Sequence, residues 1–170
     1  MKETFELKPI SREAIPRAVQ KAERYRLINQ PWAAESICRD ILGIDPENQP
    51  VLVMFILSLT DQLAGGYAHA MQAVRETLPR ITDPYQRAYY TGMAAERSGQ
   101  AVLHRGGMGS GPMAYDSFRE AMTWYEKAEA IRPAGNDDAI LRWNTCARLL
   151  SGSSHISPGG ESSYEPALED

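Results

Sequence analysis

Between residues 11 and 150 the apolar side chains recur at steps of three and four. No run of four to eight residues alternates cleanly between turn signals as a strand would. The pattern predicts an all-α body. Breaker residues divide it into seven helices at about 12–28, 31–43, 49–64, 67–78, 84–104, 113–131 and 137–150. Pro31 suits a first helical turn, Asp45 and Pro46 end the second helix, and Gly65 with Gly66 break the third. Asp83 precedes Pro84, and Asn136, Asp137 and Asp138 place capping and dipole-compatible groups ahead of the last helix. Pro16 is tolerated only near a first turn, which pushes the start of the first helix later than residue 12.

Two stripes carry packing information. Phe118, Ala121, Met122, Tyr125, Ala128 and Ile131 share one face of the sixth helix, and that face requires burial. Ala88, Gly92, Ala95 and Gly99 line the fifth helix, where absent side-chain bulk lets a neighbouring helix come close. That closeness offsets glycine's helix penalty of about 1 kcal/mol.

The chain also repeats itself. "AAESICRDILGIDPEN" from Ala33 and "EAMTWYEKAEAIRPAG" from Glu120 place Ala34, Cys38, Ile41 and Pro46 at the same mutual spacing as Ala121, Tyr125, Ala128 and Pro133. Ala22 with Tyr25 precedes the first copy, and Gly92 with Gly99 the second. These residues resemble the 34-residue helical hairpin of the tetratricopeptide repeat (TPR) family, in particular its small bacterial-type members. The closing prolines lie 87 residues apart, which leaves room for a middle repeat at about 49–82, marked by Ala68 alone, and for 19 surplus residues. Most of the surplus falls between Gly99 and Phe118. The resemblance implies a right-handed stack of three helix-turn-helix hairpins over 12–150 with a C-terminal capping helix, an N-terminal extension at 1–11 and an acidic tail at 151–170. Secretion chaperones of this repeat class are similar in length and acidity, but the long third hairpin departs from them.

Composition narrows the function. Residues 1–150 carry 18 Lys plus Arg against 18 Asp plus Glu, so the net charge of −4 comes from Glu161, Glu165, Glu169 and Asp170. A neutral body lacks the basic face that nucleic acid demands. The longest apolar run, "VLVMFILSL" at 51–59, is far shorter than the ~20 residues of a membrane span. The N-terminus has no export pattern, so a cytoplasmic location is expected. Cys38 and Cys146 are too far apart in sequence to suggest a metal pair, and both are expected to be reduced. His69 and His155 stand alone, and Ser110 lacks the strand-turn-helix setting of a nucleophile elbow. No metal or cofactor is called for, and a noncatalytic protein is expected.

The repeat register implies a concave groove lined by first helices. It directs Val19, Glu23 and Arg26, then Val53 and Leu57, then Tyr89, Met93 and Arg97 to that surface. An apolar floor with arginines suits a peptide or helix of an unidentified protein partner, or a second copy in a homodimer. Some relatives grip a peptide carboxylate with lysines and asparagines, but Lys2, Lys8, Lys21 and Lys127 are too few to support that mode. The alternative is a small-anion or nucleotide site in "HRGGMGSGPMAY", built from His104, Arg105, Gly107 and Gly109. That stretch lacks the lysine and the spacing of a phosphate loop and reads first as an interhelical insertion. The Ser-, Gly- and Pro-rich tail is expected to be disordered, with Tyr164, Pro166 and Leu168 a short ligand for its own groove or a neighbour's.

Overall fold

The computed structural model describes residues 3–65 and 69–160. Ala68 and all the tail residues named above except His155 lie outside them. Among the described residues there are seven α-helices and no strand: α1 (Ile15–Leu27), α2 (Pro31–Ile44), α3 (Gln49–Thr60), α4 (Ala70–Thr77), α5 (Pro84–Arg105), α6 (Ser110–Ala130) and α7 (Asp138–Gly152). Prolines open α1, α2, α3 and α5, where the missing N–H would have no helical partner. Asn48 caps α3 by accepting from the Val51 N–H at 3.2 Å, and Asp83 caps α5 by accepting from Gln86 at 2.7 Å. A 3-10 turn at Arg12–Ala14 precedes α1, which places Pro16 in the first helical turn.

Successive helices pack on one another except at the α4–α5 step: α1 on α2, α2 on α3, α3 on α4, α5 on α6 and α6 on α7. In addition α1 touches α3 and α3 touches α5. Two apolar clusters result. The first centres on Ile41, Leu52, Ile56 and Leu59 and includes Ala94 and Ala101 from one side of α5. The second centres on Phe118 and Tyr125 and takes Ala88 and Ala95 from the other side. Helix α5 is therefore the shared wall between two cores.

The small-residue stripe of α5 does what its sequence predicts. A methyl group at Gly92 would lie 2.8 Å from Tyr125 Cε1 and 3.2 Å from the Ala121 carbonyl, and one at Gly99 would lie 3.2 Å from the Phe118 ring. The α6 stripe is buried from Phe118 to Ala128, but Ile131 is 52% exposed because the helix ends at Ala130. Helix α6 begins at Ser110 rather than at 113. The residues between Gly99 and Phe118 are therefore taken up by two long helices, α5 and α6, joined through residues 106–109 alone. Gly106 and Gly109 supply the left-handed φ angles, 67° and 79°, that this reversal needs.

Past α7 the chain turns back. Ile156 is buried in the second cluster, and the His155 carbonyl lies so close to Gly111 that a methyl group there would sit 2.1 Å from it. The beginning of the segment expected to be disordered is thus packed against α6. An apolar side chain among its serines and glycines is what gives it something to bury.

Replacing Gly92 by Ala should overpack the α5–α6 seam and lower unfolding stability in urea by about 1–3 kcal/mol. Gly43→Ala, where nothing lies within 4 Å, should be neutral or stabilising by up to ~1 kcal/mol.

Candidate functional site

Helical spacing brings Tyr85, Tyr89, Met93 and Arg97 to one side of α5, with Glu96 beside Arg97. The two neighbours point their charges into opposite halves of the molecule. Arg97 Nη1 donates to the Leu57 carbonyl at 3.2 Å, to Thr60 Oγ1 at 2.6 Å and to Asp61 Oδ1 at 2.7 Å. Asp61 accepts a second cation, Arg26 Nε, at 2.8 Å. Glu96, 1% exposed, accepts from Tyr125 Oη at 2.6 Å, Arg142 Nη1 at 3.1 Å and Gln100 Nε2 at 3.2 Å. A row of alternating charge, Arg26–Asp61–Arg97 and then Glu96–Arg142, accordingly crosses α1, the end of α3, α5 and α7.

Aromatic rings lie along the row. Tyr89 stacks on Tyr85 with centroids 5.9 Å apart, meets Tyr90 edge-on at 5.1 Å and tilts against Tyr125 at 5.9 Å. Tyr85 Oη donates to Asn136 Oδ1 at 3.1 Å, which ties the start of α5 to the turn before α7. Two clefts open from the row. One of about 380 Å³ is bordered by Thr60, Asp61, Arg97, Gln100 and His104, and one of about 330 Å³ by Tyr89, Asp138, Leu141, Arg142 and Thr145.

Burial and charge pull on these groups in opposite directions. Burial draws the Arg97 guanidinium below the usual arginine value against the opposing pull of Asp61. For Arg142 burial acts the same way, but Glu96 together with the neighbouring Tyr89 and Tyr125 outweighs it and the net shift is upward. Burial and the neighbouring Glu96 raise the Tyr125 phenol, so this hydroxyl is a donor at any physiological pH. The Cys38 and Cys146 thiols are both pushed up to about 12, chiefly by burial, and both are free.

The sequence-predicted contact residues divide. Tyr89 and Arg26 are half-buried on the row, and Arg97 lies on it with its charge committed to α3. Val19 and Val53 pack against the first core cluster, and Leu57 is half-buried, its carbonyl engaged by Arg97. Glu23 is exposed. Met93 is only 6% exposed, which leaves almost no surface for a partner. His104 and Arg105 are exposed at the end of α5, and His104 borders the larger cleft. Gly107 and Gly109 serve the chain reversal, in which the Gly107 carbonyl accepts from Ser110 at 3.3 Å. Among the described residues no group of three or more His, Cys, Asp or Glu side chains could hold a metal ion.

Asp61, Tyr90, Glu96 and Arg142 were not singled out by sequence patterning. A signal did exist for Glu96: it stands one turn after Gly92 on the close-packing stripe, where a carboxylate requires a buried partner. Nothing local pointed to Arg142 as that partner, because the pairing spans 46 positions. Protein-family models, curated proteins and solved structures yield no match to this chain.

Replacing Arg142 by Met strands a buried carboxylate and should cost on the order of 3 kcal/mol in denaturant unfolding. Arg105→Met should stay within ~0.5 kcal/mol. The thiols add a pH signature. Because their folded values lie above the ordinary 9.0, their stabilising contribution is complete below pH 9 and is lost as pH rises toward 12. Urea midpoints should fall over that range, and neither cysteine should react with a disulfide reagent at pH 8 until the protein unfolds.

Proposed function

We propose that this chain is a noncatalytic protein-interaction module. In this reading its helices stack as three TPR-like hairpins capped by α7, and it takes a peptide or helical segment on the face made by α1, α3, α5 and α7. The observation that carries the reading is the Tyr89–Arg142 corner of that face. There a half-buried aromatic from α5 and a half-buried guanidinium from α7 border a cleft that α7 also lines with Leu141 and Asp138. Tyrosine and arginine held rigid at the edge of a cleft are the residue types that dominate binding energy at protein interfaces. Two further features support it. The packing of α1 against α3 and of α3 against α5 suits the first helices of stacked hairpins. The two thiols are protonated near neutral pH, so neither offers a thiolate nucleophile.

Peptides selected from a displayed library on the immobilised chain test the reading. Tyr89→Ala should weaken a selected peptide at least tenfold in fluorescence anisotropy while helicity by circular dichroism is retained, and Arg105→Ala should change its affinity less than twofold. The reverse ranking would move the binding site to the α5–α6 loop and end this assignment.

A further inference from the structure

The charge row is not saturated. Arg26 gives one N–H to Asp61, Arg97 gives its three bonds through Nη1 alone, and Arg142 bonds Glu96 through one nitrogen. Each guanidinium carries five N–H groups, so every one of the three keeps donors that no described side chain takes. Their side chains remain 21%, 18% and 33% exposed, on a face whose two inner carboxylates are already engaged. Glu23 and Asp138 stand exposed on the same helices and limit the excess of positive charge to the arginine row itself. An occupant of this row is therefore a carboxylate-bearing segment with an apolar or aromatic side chain for the Tyr89 cleft.

The chain contains such a segment. "ESSYEPALED", residues 161–170, holds Glu161, Glu165, Glu169 and Asp170, the residues that make the whole molecule acidic, together with Tyr164 and Leu168. Its point of departure is set by packing, since Ile156 is buried and Gly159 approaches Pro112 at the start of α6. From there the row is near. The helical rise from Pro112 to Tyr125, whose hydroxyl meets Glu96, is about 20 Å, and ten extended residues reach about 33 Å.

We propose that residues 161–170 occupy the arginine row of their own chain, so that an outside segment binds only by displacing them. This rests on the reading of the face as a peptide site and adds its regulation. Tethering makes weak contacts sufficient: a segment of ~100 µM intrinsic affinity held at an effective ~1 mM weakens an outside ligand about tenfold.

A spin label on Ser163→Cys in the full chain tests the proposal, because Cys38 and Cys146 are buried and escape labelling. Amide signals of Arg26, Tyr89, Tyr90 and Arg142 should lose at least half their intensity. They should recover in 0.5 M NaCl or in a chain that also carries Glu161→Gln, Glu165→Gln, Glu169→Gln and Asp170→Asn. That neutralised tail, without the label, should bind a library-selected peptide about tenfold tighter than the native chain does. Broadening confined to the neighbours of Pro112 would overturn the proposal. So would broadening that arises only between a labelled and an isotope-enriched copy, since the occupant would then be a second chain. If selected peptides bind through Tyr89 and the neutralised tail leaves their affinity unchanged, self-occupancy fails while the peptide site stands. If no peptide binds either chain, the site itself fails.

Discussion

A carboxylate held almost entirely out of water, Glu96, is the constraint around which the C-terminal half is organised. An ionised acid in that position is tolerable only when donors surround it, and they come from three helices: Gln100 on α5, Tyr125 on α6 and Arg142 on α7. The Tyr125 hydroxyl can reach Glu96 because its ring packs directly against Gly92, where any side chain would push it away. A glycine that costs helix stability and a charge that costs desolvation are thus one arrangement, and each makes the other possible.

Arg97 extends the same logic across α5. Its Nη1 group satisfies the Leu57 carbonyl and Thr60 at the end of α3 and shares Asp61 with Arg26. The two apolar clusters share no residue and only α5 contributes to both, so these polar bonds help fix how the halves meet. The three arginines of the row also stay partly exposed, as the proposed peptide site requires. The same side chains hold the helices together and present charge at the surface.

The α5–α6 hairpin shows how a motif changes meaning with context. Four glycines between 106 and 111 invite comparison with a phosphate cradle, but their positions in space assign them separate tasks. Gly106 and Gly109 reverse the chain, and Gly111 admits the returning 153–160 segment. The length of the α5–α6 hairpin lies in its helices, and the end of α5 brings His104 to the edge of the larger cleft.

Helix number, helix order and most boundaries followed from apolar periodicity, first-turn prolines and the caps Asn48 and Asp83, because those signals act over a few residues of the same helix. The close approach along Gly92 and Gly99 was likewise written in the chain, since missing side chains at steps of seven leave one continuous groove. Pairings between distant residues were not. Asp61 finding both Arg26 and Arg97, Glu96 finding Arg142, and Ile156 returning to the second core depend on which helix faces meet after collapse. The same holds for Met93, which shares a helical face with Tyr89 and Arg97 yet is covered where they are not. Periodicity states which side of a helix is apolar or polar. What lies across from that side, and how much of it stays open to a partner, is decided by tertiary packing alone.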